Sequence, residues 1–241
     1  MSHPPSINLL FATKVDFATG CNPIRVWLSD LDGDHKPEMI ANNTETGTIS
    51  VYRNTSTAGA VTSSSFDTPI VLATGNGKCS WVEVADVDGD GSPDLISDND
   101  TAASLSVFRN LSVGNALAFA APVPVPVPFS TPGGYSTQVH AGDLDGDGKP
   151  DLVALNNADA TVSVLRNLST PGSIAFAPRL EFPTGNQPDS LALGDVDGDG
   201  QSDVVVANFL GRTLSVLRNT STLAAINFAT ACSLMGRWAT N

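Results

Sequence analysis

Aromatic residues are scarce in this 241-residue chain, at 6%, and cysteine is scarcer still, with three copies. Few aromatics beside 21 Gly, 16 Pro and abundant Val, Thr and Ser point to many short strands separated by turns. The cysteines, Cys21, Cys79 and Cys232, are odd in number and lack metal-ligand spacing, which excludes a disulfide framework and a thiolate zinc site. A bridge from Cys21 to Cys79 stays open, beside buried or free thiols. Basic residues are also few: 12 against 25 acidic ones, a net charge of −13, which excludes nucleic-acid phosphate as a partner. No apolar run reaches the roughly 18 residues of a spanning helix, and the longest, Leu117 to Phe129, is broken by prolines, so no membrane span is expected. Met1 to Leu10 lacks the charged head and apolar centre of a signal peptide, so an extracellular or secreted location is inferred from class alone. No G-x-S-x-G elbow, HExxH pair or Gly-rich phosphate loop occurs, and an enzyme is not expected.

What the chain does contain is a repeat. One pattern opens at Asp30, Asp86, Asp143 and Asp195, at intervals of 56, 57 and 52 residues, which is a blade-sized period. An Arg-Asn pair follows each opening Asp by 23 residues: Arg53-Asn54, Arg109-Asn110, Arg166-Asn167 and Arg218-Asn219. All length variation falls later, notably in the Pro-Val alternation from Pro122 to Pro128, as an edge element tolerates. Each unit reads as four strands: an alternating strand before the acidic loop, an apolar run after it, a third strand ending at Arg-Asn, and a fourth starting at Phe66, Phe119, Phe176 or Phe228. Connections this short demand antiparallel neighbours, so each unit is a meander, and a ring of meanders buries both faces. The expected fold is an all-β propeller of four four-stranded blades in a single domain. Residues 21–75, 76–133, 134–185 and 186–235 are the blades, and 236–241 is a tail. Residues 1–20 carry an extra fourth strand, Phe11 to Gly20, belonging to a preceding blade, which suggests a segment of a longer propeller.

The loops read Asp30-Leu-Asp-Gly-Asp-His-Lys-Pro-Glu38, Asp86-Val-Asp-Gly-Asp-Gly-Ser-Pro-Asp94, Asp143-Leu-Asp-Gly-Asp-Gly-Lys-Pro-Asp151 and Asp195-Val-Asp-Gly-Asp-Gly-Gln-Ser-Asp203. Carboxylates at positions one, three, five and nine repel one another unless a cation sits among them, and an all-oxygen set of this density suits Ca²⁺. The expected ligands are Asp30, Asp32, Asp34 and Glu38; Asp86, Asp88, Asp90 and Asp94; Asp143, Asp145, Asp147 and Asp151; Asp195, Asp197, Asp199 and Asp203. A main-chain carbonyl at position seven, Lys36, Ser92, Lys149 or Gln201, would join them, the first three held extended by the following Pro. Position twelve is Ala41, Ser97, Ala154 or Val206, where an EF-hand needs Glu, so that motif is excluded. Up to four ions are expected. The first site should be weaker, because His35 replaces the Gly of the other loops and Glu38 replaces Asp.

With D-x-D-G-D-G-x-x-D loops in units of this length, the chain from about Phe11 to Met235 resembles the FG-GAP/VCBS repeat families, typified by the integrin α-subunit head. The Phe-Gly and Gly-Ala-Pro strings that name the family are absent, so the likeness is closer to the bacterial-style VCBS variant. The resemblance implies a seven-bladed propeller with calcium in the hairpin between the first two strands of several blades. It also implies recognition or adhesion toward a protein or carbohydrate ligand, with a structural spacer as the alternative and a propeller enzyme behind both. An incomplete ring would leave blade edges uncovered, and self-association through them is expected. Other recurring residues have local readings. Asn43, Asn99, Asn156 and Asn208 suit Asx-turns. Asn42, Asn54, Asn110, Asn167 and Asn219 match the glycosylation sequon, with turn chemistry favoured over glycans. The slots holding Arg25, Trp81, Gln138 and Ser190, and Trp27, Glu83, His140 and Ala192, are the least repetitive, and either packing or a site accounts for them.

Overall fold

The computed structural model describes residues 12–75, 78–99, 104–127, 138–229 and 232–235. Sixteen strands form four antiparallel sheets, each a meander in chain order. Blade 1 is β1 (Pro23–Ser29), β2 (Glu38–Asn43), β3 (Thr48–Tyr52) and β4 (Ile70–Ala73). Blade 2 is β5 (Val82–Ala85), β6 (Asp94–Asn99), β7 (Ser104–Phe108) and β8 (Val123–Pro126). Blade 3 is β9 (Val139–Gly142), β10 (Asp151–Asn156), β11 (Thr161–Leu165) and β12 (Leu180–Pro183). Blade 4 is β13 (Pro188–Gly194), β14 (Asp203–Asn208), β15 (Thr213–Leu217) and β16 (Cys232–Met235). The fold is all-β, with no helix among the described residues.

The middle strands read as continuous apolar runs because both of their faces are covered, and every residue of β6, β7 and β10 is buried. Each of three cores lies between neighbouring blades. Ile40, Ile49 and Val51 meet Val82, Leu95 and Phe108; Ile96, Leu105 and Val107 meet Val139, Leu152 and Leu165; Val153, Val162 and Val164 meet Leu191, Val204 and Leu217. No such core joins blade 4 to blade 1 among the described residues, and the array is open.

The fourth strand starts later than the recurring Phe. Phe66, Phe119, Phe176 and Phe228 each make an isolated bridge to the Asn of the Arg-Asn pair, and the strand begins four residues on. Residues 12–20 form no strand, and Phe11 lies outside the described residues. They nevertheless pack on blade 1 as an outer strand packs on the next blade. Phe17 meets Phe66 edge-on at 5.1 Å, as Phe182 of β12 meets Phe228 at 4.8 Å. Gly20 lies so close to Asn43 that a Cβ would stand 2.6 Å from its Cγ, and Gly185 lies equally close to Asn208, so neither position has room for a side chain.

The recurring asparagines make longer-range contacts than turns require. Asn43, Asn156 and Asn208 donate from Nδ2 to the Thr and Ser hydroxyls of the third strand, at 2.8–3.1 Å, which replaces the Asx-turn reading with a cross-strand clamp. The sequon asparagines tie blades together. Asn110 donates to Leu31 O, Asn167 to Val87 O and Asn219 to Leu144 O, each at 2.8 Å and each reaching the preceding blade's acidic loop. Asn42 donates to Cys79 O at 2.9 Å. All four are buried, so their amides are structural and a glycan cannot attach to them in the folded chain. No bridge joins Cys21 to Cys79; the buried Cys79 sulfur lies 3.1 Å from Ser97 Oγ.

Candidate metal centres

Each acidic loop is the hairpin between the first and second strand of its blade. The position-one Asp organises it by accepting N–H groups from positions four and six: Gly33 and His35 to Asp30, Gly89 and Gly91 to Asp86, Gly146 and Gly148 to Asp143, Gly198 and Gly200 to Asp195. These bonds hold the Asp195 carboxyl below the usual range, the Gly200 N–H first among them. Position six needs a left-handed backbone, with φ of 92°, 83° and 88° at Gly91, Gly148 and Gly200. His35 is forced to 66° there. A left-handed non-Gly residue costs about 1 kcal/mol. His35→Gly is therefore expected to stabilise the protein by about that amount, a rise of about 2–4 °C in Tm, and to tighten cation binding at loop one. Thermal melts and calcium titration of the two proteins check this, and an unchanged Tm would contradict the strain argument.

Carboxylate oxygens converge in every loop. Asp30, Asp32 and Glu38 bring ligand atoms within 4.8 Å of one another, as do Asp86, Asp88 and Asp90, Asp143, Asp145 and Asp151, and Asp195, Asp197 and Asp199. Asp34, Asp94, Asp147 and Asp203 stand outside these trios. Position seven contributes its N–H to the position-five carboxylate in each loop, from Lys36, Ser92, Lys149 and Gln201. The Lys149 ammonium turns away from its loop to Ser169 O at 2.7 Å, whereas that of Lys36 lies 3.7 Å from Asp34.

Position nine is a different kind of group. Glu38, Asp94, Asp151 and Asp203 are fully buried, and each accepts two backbone N–H groups, one from position two and one from the Asn of the Arg-Asn pair. It staples the loop to the end of the third strand. Burial pushes the Asp94 and Asp151 carboxyls up to about 6, and raises Glu38 for the same reason.

The arginines of the Arg-Asn pairs also belong to the loops. Arg53 reaches Asp32 at 2.9 Å and Asp34 at 3.5 Å; Arg109 reaches Asp88 at 3.0 Å; Arg166 pairs with Asp145 and Asp147, and Arg218 with Asp197 and Asp199. Their fixed 23-residue offset from the opening Asp carried the signal. Each guanidinium neutralises part of its loop from the side of the third strand.

Neighbouring blades complete the loops. Gly172 of blade 3 donates its N–H to Asp88 Oδ2 at 2.9 Å, and Ala224 of blade 4 donates to Asp145 Oδ2 at 3.1 Å. The side chains of Asp32, Asp88 and Asp145 are 0% exposed, while that of Asp197, in the last described blade, is 35% exposed. Loop four is thus the most open to water, an inequality separate from the one at His35. The irregular slots pack on each other. Arg25 stacks over Trp81 at 4.2 Å, Trp27 and His140 meet Trp81 edge-on, and Gln138 accepts the Leu191 N–H.

Four meanders stacked face to face, each with an acidic hairpin between its first two strands, define a blade-repeat protein of the propeller class. Residues 30–97, 98–154 and 143–206 each match the FG-GAP-like repeat, and the chain belongs to that family. No curated protein matches it. Among solved structures, a lectin of Agrocybe aegerita, described for specific recognition of non-reducing terminal N-acetylglucosamine, is similar in fold, with a TM-score of 0.59 at 22% identity. The likeness covers 88% of this chain and 52% of the lectin chain, so the chain spans about half the length of that relative.

Proposed function

We propose that the chain is a calcium-stabilised recognition module that binds carbohydrate outside the cell. The observation that carries this reading is a groove of ≈ 860 Å³ between the outer strands of blades 2 and 3. Val123, Pro124 and Pro126 line one wall and Ile174, Phe176 and Leu180 the other, with the ion pair Arg179–Glu181 at 2.8 Å also lining it. Apolar surface beside a few fixed polar groups suits a sugar ring. Prolines at alternate positions of β8 remove N–H groups that an added peptide strand would use, which favours a glycan over strand addition. The lectin's recognition of terminal N-acetylglucosamine supports the same choice.

The ions would sit among the converging carboxylates, Asp30, Asp32 and Glu38 in loop one and their counterparts in the others, where they would supply positive charge and hold adjacent blades together. The donor set fits: every group is a hard oxygen, and the three acids meet with one arginine or less to offset them. The proposed role is binding rather than catalysis. The His140–Glu83 pair, at 3.5 Å, is packed on Trp81, and Glu83 also accepts the Ala141 N–H.

A glycan array with and without calcium tests the reading. Retention of glycans ending in N-acetylglucosamine, lost on Arg179→Ala with the melt unchanged, is expected. A folded, calcium-loaded protein that retains no glycan would leave a structural spacer in its place.

A further inference from the structure

We infer that Phe176 is the surface on which the bound sugar stacks, and that Val125 is the residue that leaves this surface free. The inference rests on the carbohydrate reading above and assigns residues to it. In blades 1 to 3 the outer strand sets one side chain opposite the nineteenth residue after the opening Asp. Leu72 pairs with Ile49, Val125 with Leu105 and Phe182 with Val162. That side chain is placed to meet the recurring Phe of the next blade. Phe182 packs edge-on against Phe228 at 4.8 Å, and Phe228 is 7% exposed. Leu72 and Phe119 join one core between blades 1 and 2. Ahead of blade 1, Phe17 caps Phe66 in the same manner at 5.1 Å.

Val125 breaks this series. It belongs to the core between blades 2 and 3, and Phe176 packs against that core, yet among the described residues no ring meets Phe176, which is half-buried. Valine carries two methyl groups where Phe182 carries a whole ring. The groove that Val125 and Phe176 both line therefore opens at the place a ring fills between blades 3 and 4. The ends of the array do not cause this opening, because blades 2 and 3 each share a core with a further described blade, blade 1 and blade 4.

The surroundings of Phe176 suit a pyranose. An aromatic face presents its negative π surface to the C–H groups of a sugar, and the apolar wall excludes the water that would compete. At the rim, Arg179 Nε donates to Glu181 Oε1 at 2.8 Å, which fixes the two side chains together. The Arg179 Nη atoms and Glu181 Oε2 have no partner among the described residues, so they supply donors and an acceptor for neighbouring hydroxyls. Pro124 and Pro126 on either side of Val125 carry no N–H for a peptide strand.

The test is titration of the 241-residue chain, in calcium, with the methyl glycoside of N-acetylglucosamine, followed by calorimetry and by the proton NMR spectrum of the sugar. Stacking on Phe176 should move the sugar's ring protons upfield in the bound state. Phe176→Leu, which keeps an apolar side chain on the core, should weaken binding by about tenfold or more and abolish that shift. Phe176→Tyr should keep both. Val125→Phe should fill the groove as Phe182 does, abolish binding and leave the melt unchanged or raised; Val125→Leu, which copies Leu72, replaces it if the larger ring does not fold. A wild type that binds the sugar while the filled variant binds it equally well, or while Phe176→Leu keeps the affinity and the shift, overturns the inference and leaves carbohydrate recognition to another part of the molecule. A wild type that binds no sugar overturns the carbohydrate reading and this inference together, as does self-association that Val125→Phe abolishes, which would give the groove to a second copy.

Discussion

Chelating calcium is expected to lower the melting temperature by about 20 °C or more, and adding calcium back should restore it. A cation that binds only the folded loops contributes about 2.7 kcal/mol per site at a free concentration of about a hundred times Kd, and four loops compound the effect. A bound cation would offset the charge that the folded geometry brings together. Three carboxylates converge within 4.8 Å in each loop, and the guanidinium of Arg53, Arg166 or Arg218 is shared between positions three and five. The dependence should also change with pH in a defined direction. The folded carboxyls of Asp94 and Asp151 titrate near 6, above the ordinary aspartate value, so their protonated forms favour folding. That contribution is complete below about pH 4 and is lost as pH rises through 6. In chelator, stability should fall between about pH 4 and 6. Calcium favours the ionised loops, so the gap between calcium and chelator melts should widen over the same window. Coincident melts in millimolar chelator and in calcium would rule out a structural ion.

Much of this architecture was legible in sequence because the repeat is rigid where it matters. The intervals between Asp30, Asp86, Asp143 and Asp195 and the constant step to the Arg-Asn pairs located the blades, and the two-residue alternation gave the strand faces. The fourth strand was placed too early, since Phe66 and its equivalents look like strand residues but bridge singly to the Asn across a small hairpin. What could not be read locally was contact between units. Asn167 sits in a sequon and a turn, yet its amide bonds to Val87, 80 residues away. Arg166 follows a strand and gave no hint that it would lie along Asp145 and Asp147. Inter-blade contacts of this kind depend on how meanders stack, and periodicity within one meander does not encode that. Openness was hidden for the same reason: Val26 and Leu214 have the identity of core residues and are exposed because no described blade covers them.

Replacing Asp151 with Asn should destabilise the protein by about 1–3 kcal/mol in chelator and by more in calcium, where a member of the converging trio is also lost, whereas Asp147→Asn should act chiefly in calcium. The loop pattern leads to all four acids as expected ligands, but they differ in what they touch. Asp151 is fully buried and accepts the N–H groups of Leu144 at 3.0 Å and Asn167 at 2.8 Å, one with each oxygen. An Asn keeps one acceptor and turns an NH₂ toward the other N–H, leaving a buried donor facing a donor. That fault does not depend on an ion. Asp147 instead accepts the Lys149 N–H and the Arg166 guanidinium near the surface, and an amide oxygen can still take the first of these. Its loss should therefore weaken the cation site while leaving the chelated protein close to wild type. Denaturant unfolding of both variants in the two buffers separates the roles. An Asp151→Asn protein that matches wild type in chelator would show that the buried carboxylate serves the cation and not the joint between loop and third strand.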